Sequence, residues 1–190
     1  MTALGATAAI FLGMAGVSQV VKAQAQQAAV SLESGELVDI VADANPGVPW
    51  CWAVLTLQRA TGSTATLTAR RATLSLLPGL WPAASCGSAR LATRWSDDSV
   101  ATDAIVWHRV WRIDVEQLRS LDSRNCRVSA WLQFGRVPYV ASGVIRDLRF
   151  ENPIGQNFTP MAIDEGSRGC PRFLTHWELP RRDVLESPGN

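Results

Sequence analysis

Apolar and polar positions divide this chain into one long uncharged run at the start and a series of short alternating runs after it. No charged residue occurs from Thr2 to Val21, and the first charge is Lys22. At about twenty residues the run approaches the length that spans a ~30 Å hydrocarbon core. Its alanines, glycines, threonines and serine dilute the Leu, Ile, Phe and Val content, and such small residues suit close helix–helix packing in a membrane. Three readings follow. The segment is a retained transmembrane helix, one of a bundle rather than a lone anchor; or a secretory signal cleaved near Ala23-Gln24-Ala25, which has the small-x-small form; or a buried helix of a soluble domain. Against cleavage, Met1-Thr2-Ala3-Leu4 has no positive charge. Orientation is barely encoded, because after Lys22 the next basic residue is Arg59.

Lys22 to Leu32 keeps a helical, Ala- and Gln-rich composition, and Ser34-Gly35 can end that helix. Glu36 to Ala44 alternates as a strand does, and Asn45-Pro46-Gly47-Val48-Pro49 breaks the ladder. Trp50 to Gln58 predicts the next strand, Thr64 to Ala69 its partner across Thr61-Gly62-Ser63, and Thr73 to Leu77 an extension of that sheet. Pro78 to Ser88 and Ser96-Asp97-Asp98-Ser99 read as loop and turn. Ile105 to Ile113 is strand-like. Asp114 then fits an N-cap with Gln117 three residues on, opening a short helix to about Leu121. Cys126 to Phe134 fits helix or strand. Val144 to Phe150 and Phe158 to Ile163 predict two more strands. The expected fold is α+β: an N-terminal, transmembrane-type helix and connector over residues 1–32, then a single domain over 33–190 with a mainly antiparallel sheet and one or two short helices.

Composition adds little direction. A net charge of +1 makes no field that would gather nucleic acid, so no nucleic-acid partner is expected. Eight tryptophans against one tyrosine suit cores, ligand grooves and membrane interfaces alike. Trp50, Trp52, Trp107 and Trp111 are the candidate contact residues. Cys51, Cys86, Cys126 and Cys170 contain no C-x-x-C pair, which argues against a zinc ribbon or a thioredoxin-type site. Two disulfides in any of three pairings, or four free thiols, remain open.

The chemistry-bearing residues do not assemble into a catalytic set. His108 and His176 lack partners at ligand spacing, and no G-x-S-x-G, P-loop or G-x-G-x-x-G occurs. No metal ligand is therefore assigned. Asp97-Asp98 and Asp164-Glu165 fall in turn-like stretches. The most informative polar set is Arg146-Asp147-Leu148-Arg149. On a strand Asp147 and Arg149 share one face, and a buried Asp147 would need Arg149 or Arg136 as partner. Those three residues are the candidate binding site for an anion or a polar ligand, with a structural ion pair as the alternative.

The order of these features resembles a known family. The apolar helix with its Ala/Gln connector, Asn45-Pro46, the strand from Trp50 to Leu55, the segment from Trp131 to Val140 (WLQFGRVPYV) and Ile145 to Phe150 (IRDLRF) follow one another. This is similar to the C-terminal region of the bacterial membrane-bound metal-dependent hydrolases, with an "NP…W" strand, a "W…F" segment and a terminal "DLR" strand. That family's presumed metal ligands lie in an N-terminal "HR…HS" motif that Met1 to Asn190 does not contain. The resemblance implies an accessory domain of the inner membrane, non-catalytic by itself. It would partner other transmembrane helices or a separate metal-bearing membrane subunit, and any divalent metal would belong to that missing half. The alternatives are a fragment of an active hydrolase and a periplasmic or secreted binding module using its tryptophans.

Overall fold

The computed structural model describes residues 2–32, 35–45, 47–63, 65–86, 101–151, 157–163 and 182–185, with side chains described from 13 onward except at 14, 182 and 183. The turn at Ser96 to Ser99, the Asp164-Glu165 pair and His176 lie outside them. Helix α1 (Thr2–Leu32) is followed by strands β1 (Gly35–Asn45), β2 (Val48–Ala60), β3 (Thr66–Ser75) and β4 (Ile105–Asp114). Helices α2 (Val115–Arg124) and α3 (Cys126–Leu132), strands β5 (Pro138–Ala141), β6 (Val144–Asp147) and β7 (Met161–Ala162), and the short helix α4 (Arg182–Leu185) complete the chain. β1 to β4 form one sheet in sequential order, and β5-β6-β7 a second, antiparallel one. The α+β class with a mainly antiparallel sheet agrees with the sequence pattern.

Two compact units divide the chain. The first comprises Met1–Thr56 and Arg70–Arg109, the second Leu57–Ala69 and Val110–Asn190. In the first, α1 lays Val21, Ala25 and Ala29 on Ile40, Trp52, Val54, Ala72, Leu74, Ile105 and Trp107. The i, i+4, i+8 spacing puts the three on one face, and their small size brings the helix axis close to the sheet. The large side chains come from the sheet instead: burying Trp52 and Trp107 contributes roughly 4–6 kcal/mol of gross apolar transfer each.

Among the described side chains this packing begins at Val17, which is half-buried, whereas Gly13, Ala15 and Gly16 are exposed. Among the described residues no helix is long and apolar enough to cross a membrane, so the transmembrane character expected of the N-terminal segment gains no support from the fold. The second half of α1 instead serves as a core element of unit 1.

In the second unit Asp114 caps α2 as expected, accepting the Gln117 N–H at 2.9 Å, and the helix runs on to Arg124. Asn125 caps α3 by accepting the N–H groups of Arg127 and Val128, and the ambiguous Cys126 to Phe134 segment is helix as far as Leu132, with Gln133 and Phe134 in a turn. Three strand expectations change. The two strands expected over Thr64 to Ala69 and Thr73 to Leu77 are replaced by one, β3, over Thr66–Ser75, with Thr64 outside the described residues, and only Met161–Ala162 of the Phe158 to Ile163 stretch is strand. Val144 to Phe150 is strand only to Asp147; Leu148–Phe150 is a 3-10 turn, because the Asp147 side chain accepts the Arg149 N–H and bends the chain. β5, which the sequence pattern did not single out, pairs with β6 through the two-residue turn Ser142-Gly143, both at positive φ (53° and 72°).

Candidate functional site

The polar set around Asp147 closes on itself. Asp147 ends β6 opposite Pro138 of β5 and is fully buried. Its Oδ2 accepts the Arg136 N–H at 2.9 Å and the Arg149 Nε–H at 2.8 Å, and Arg149 Nη2 lies 2.7 Å away as its ion-pair partner. Its Oδ1 accepts the N–H groups of Val137 at 3.3 Å and Arg149 at 3.0 Å. A carboxylate offers about four lone-pair sites, and these four hydrogen bonds fill them. Its own backbone is held as well: the Asp147 N–H donates to Thr159 Oγ1 at 3.0 Å, and Asn157 Nδ2 donates to the Asp147 carbonyl at 3.2 Å.

Arg149 is therefore the partner of Asp147, and it reaches the carboxylate through the 3-10 turn rather than along one face of a strand. Arg136 joins the knot through its backbone N–H. The outer side of the Arg149 guanidinium lies 4.9 Å from the centre of the Phe150 ring, which packs on Phe158 at 4.3 Å. These contacts tie the β5–β6 hairpin to the turn after α3 and to the Asn157–Thr159 segment. The arrangement is a structural clamp built from the "DLR" residues.

The tryptophans divide by environment. Trp52 is buried and donates its indole N–H to the Pro49 carbonyl at 3.0 Å, and Trp107 and Trp111 are buried too. Of the four candidates only Trp50 is half-exposed. Its ring meets Trp81 edge-on at 6.0 Å. Trp81 was not among the sequence candidates. It stands in the uncharged stretch Ala72 to Ser88, where Leu77, Leu80 and Trp81 are exposed; the absence of charge there was the signal that could have drawn attention to it.

That loop is tied down. Cys86 forms a disulfide with Cys51 on β2, next to Trp50, and Ser75 Oγ donates to the Trp81 carbonyl. Cys126 is disulfide-bonded as well. On the same unit, buried His108 shares a 2.8 Å hydrogen bond with Thr73 Oγ1, the donor being set by the tautomer. Loss of hydration, and then the positive Arg71, lower its pKa to about 4. It is neutral at pH 7 and engaged, a packed histidine rather than a ligand. Among the described residues no cluster of three His, Cys, Asp or Glu side chains is placed to hold a metal ion.

The open feature of unit 1 is a groove of about 390 Å³ between the flank of α1 and the sheet. Gln24, Gln27, Ala28, Ser31 and Leu32 form its helical wall. Leu74, Ser75, Ile105 and Trp107 form the opposite wall, and Pro78, Thr102 and Ala104 close it from the loops. The volume lies within the usual range of small-molecule sites, and among the described residues no ionisable side chain lines it. Set against known protein families, curated proteins and solved structures, the chain matches none.

Proposed function

We propose that this chain is an accessory or binding domain of the bacterial cell envelope, working on the oxidising side of a membrane and non-catalytic by itself. The observation that carries the reading is the Cys51–Cys86 disulfide. Such bonds persist in the periplasm and outside the cell and are rare in a reducing cytosol. The bonded state of Cys126 supports the same compartment.

The helix α1 supports anchoring over cleavage. Removal of the chain up to Ala25 would take away Val21 and Ala25, two of the three α1 side chains fully sunk in the core of unit 1. The uncharged first half of the helix, uncovered at Gly13, Ala15 and Gly16, then suits a bilayer or neighbouring helices. The shared order of the "NP…W", "W…F" and "DLR" segments supports kinship with the C-terminal region of the membrane-bound metal-dependent hydrolases. In that case a divalent metal and the hydrolytic chemistry belong to a partner bearing the family's N-terminal half.

Two readings of one sample test this. Protein isolated from an envelope fraction under alkylating, non-reducing conditions is expected to show no free thiol and an intact mass that retains α1. Alkylation of all four cysteines would remove the oxidising compartment from the proposal. A mature chain starting after Ala25 would replace the anchored domain with a released binding module.

A further inference from the structure

We propose that the groove beside α1 binds the acyl chain of an uncharged lipid. The inference rests on the lining of the groove and does not depend on the compartment or the family kinship. The first argument is charge. Among the described residues none of the lining side chains is ionisable, so a carboxylate, phosphate or ammonium placed against these walls would be desolvated without a partner from them.

Hydrogen bonding supplies the second argument. Three hydroxyls line the groove, and each is already engaged with nearby backbone. Ser31 Oγ donates to the Ala28 carbonyl at 2.8 Å. Ser75 Oγ donates to the Trp81 carbonyl and accepts the Leu77 N–H at 3.2 Å. Thr102 Oγ1 donates to the Ile105 carbonyl at 3.3 Å and accepts the Ile105 N–H at 3.1 Å. Gln24 and Gln27 sit exposed on the rim. A sugar or an extended peptide would bury many polar groups against Leu74, Ile105 and Trp107 with few partners. A polymethylene chain has none to satisfy, and its head group would meet the two glutamine amides at the edge.

Size and shape agree. The helical wall from Gln24 to Leu32 is about 12 Å long at 1.5 Å per residue. The volume of about 390 Å³ lies at the small end of ligand sites, enough for a single acyl chain along that wall.

The test uses the whole chain and a series of 1-monoacylglycerols of increasing acyl length, kept below their aggregation concentrations. Affinity measured by displacement of uncharged N-phenyl-1-naphthylamine is expected to rise about fourfold per added methylene and to level off once the chain outruns the ~12 Å wall. A flat series, or a rise with no plateau, overturns the proposal. A diazirine-bearing monoacylglycerol is expected to photolabel wild-type protein saturably within Gln24 to Leu32 and Thr102 to Trp107. Labelling confined to the exposed side chains Leu80, Phe134 or Phe158 overturns it. Ala28→Phe, which fills the groove from its helical wall, is expected to weaken binding at least tenfold; unchanged affinity in the folded variant also overturns it. Because the photolabelling needs no variant, it decides the matter even where Ala28→Phe does not fold.

Discussion

The two units treat their polar groups in opposite ways. In unit 2 a fully buried carboxylate, Asp147, gathers three backbone N–H groups and the Arg149 guanidinium. In unit 1 the described lining of the groove beside α1 holds no ionisable side chain, and its hydroxyls are turned onto local backbone. The charged cluster looks like a site in the sequence yet has no free valence. The uncharged flank attracts no attention in the sequence yet leaves open volume. Charge marks a site only when its partners are left over for a ligand, and around Asp147 none are.

The sharpest way to break this contrast is to remove the carboxylate. Asp147→Ala strands the N–H groups of Arg136, Val137 and Arg149 and leaves the Arg149 guanidinium without its counter-charge. Truncating one member of a buried pair typically costs about 3–5 kcal/mol, and urea unfolding should show a loss of that order. Gln24→Ala, on the exposed rim of the groove, should change stability by less than about 0.5 kcal/mol. An Asp147→Ala protein with near wild-type stability would mean that the clamp is not structural, and the residue would return as a binding candidate.

Among the described residues of unit 1, His108 is a buried titratable group, and pH probes it. His108 is neutral in the folded protein, with its pKa lowered from 6.5 to about 4 by burial and by Arg71. The unfolded chain takes up a proton as pH falls below about 6.5, while the folded one waits until about 4. Stability is therefore full above pH 6.5, declines between 6.5 and 4, and flattens below that. The gap is worth at most about 3 kcal/mol. His108→Asn, which keeps a polar group opposite Thr73, should abolish most of the difference between urea midpoints at pH 7 and pH 4.5. An equal acid loss in the variant would assign the effect to other groups.

What was legible in the sequence follows the range of the interactions. Asp114 and Gln117 announce a cap because capping is a contact across three residues. The Asp147–Arg149 pair was legible for the same reason, although the link runs through a turn that the period-2 pattern could not show. β5 was missed because its turn, Ser142-Gly143, lacks the Asn-Gly or Asp-Gly signature, and Ser142 adopts positive φ without announcing it. The Cys51–Cys86 pairing joins residues 35 apart, and three pairings were open before the fold chose one. The groove was illegible altogether. Its walls depend on how far the flank of α1 overhangs the sheet, which is set by Val21, Ala25 and Ala29 meeting side chains from all four strands.

The smallest of these effects compares two glycines, one from each region. A Cβ on Gly135 would fall 2.2 Å from Cζ3 of the Trp131 ring. That ring cannot swing aside freely, because its N–H donates to the Thr159 carbonyl at 3.0 Å, next to the residues that brace Asp147. Gly135→Ala should therefore shift Trp131 and loosen the same clamp, at a cost of roughly 1–3 kcal/mol. Gly79 sits in the loop of unit 1 between Leu77 and Trp81, and a Cβ there meets nothing within 4 Å. Gly79→Ala should leave stability unchanged or raise it by up to about 1 kcal/mol, by restricting the unfolded chain. Urea midpoints and Trp fluorescence of the pair read the difference directly. If the two substitutions cost the same, the tight fit of the W-x-x-F-G segment against its neighbours is not what holds that part of unit 2 together.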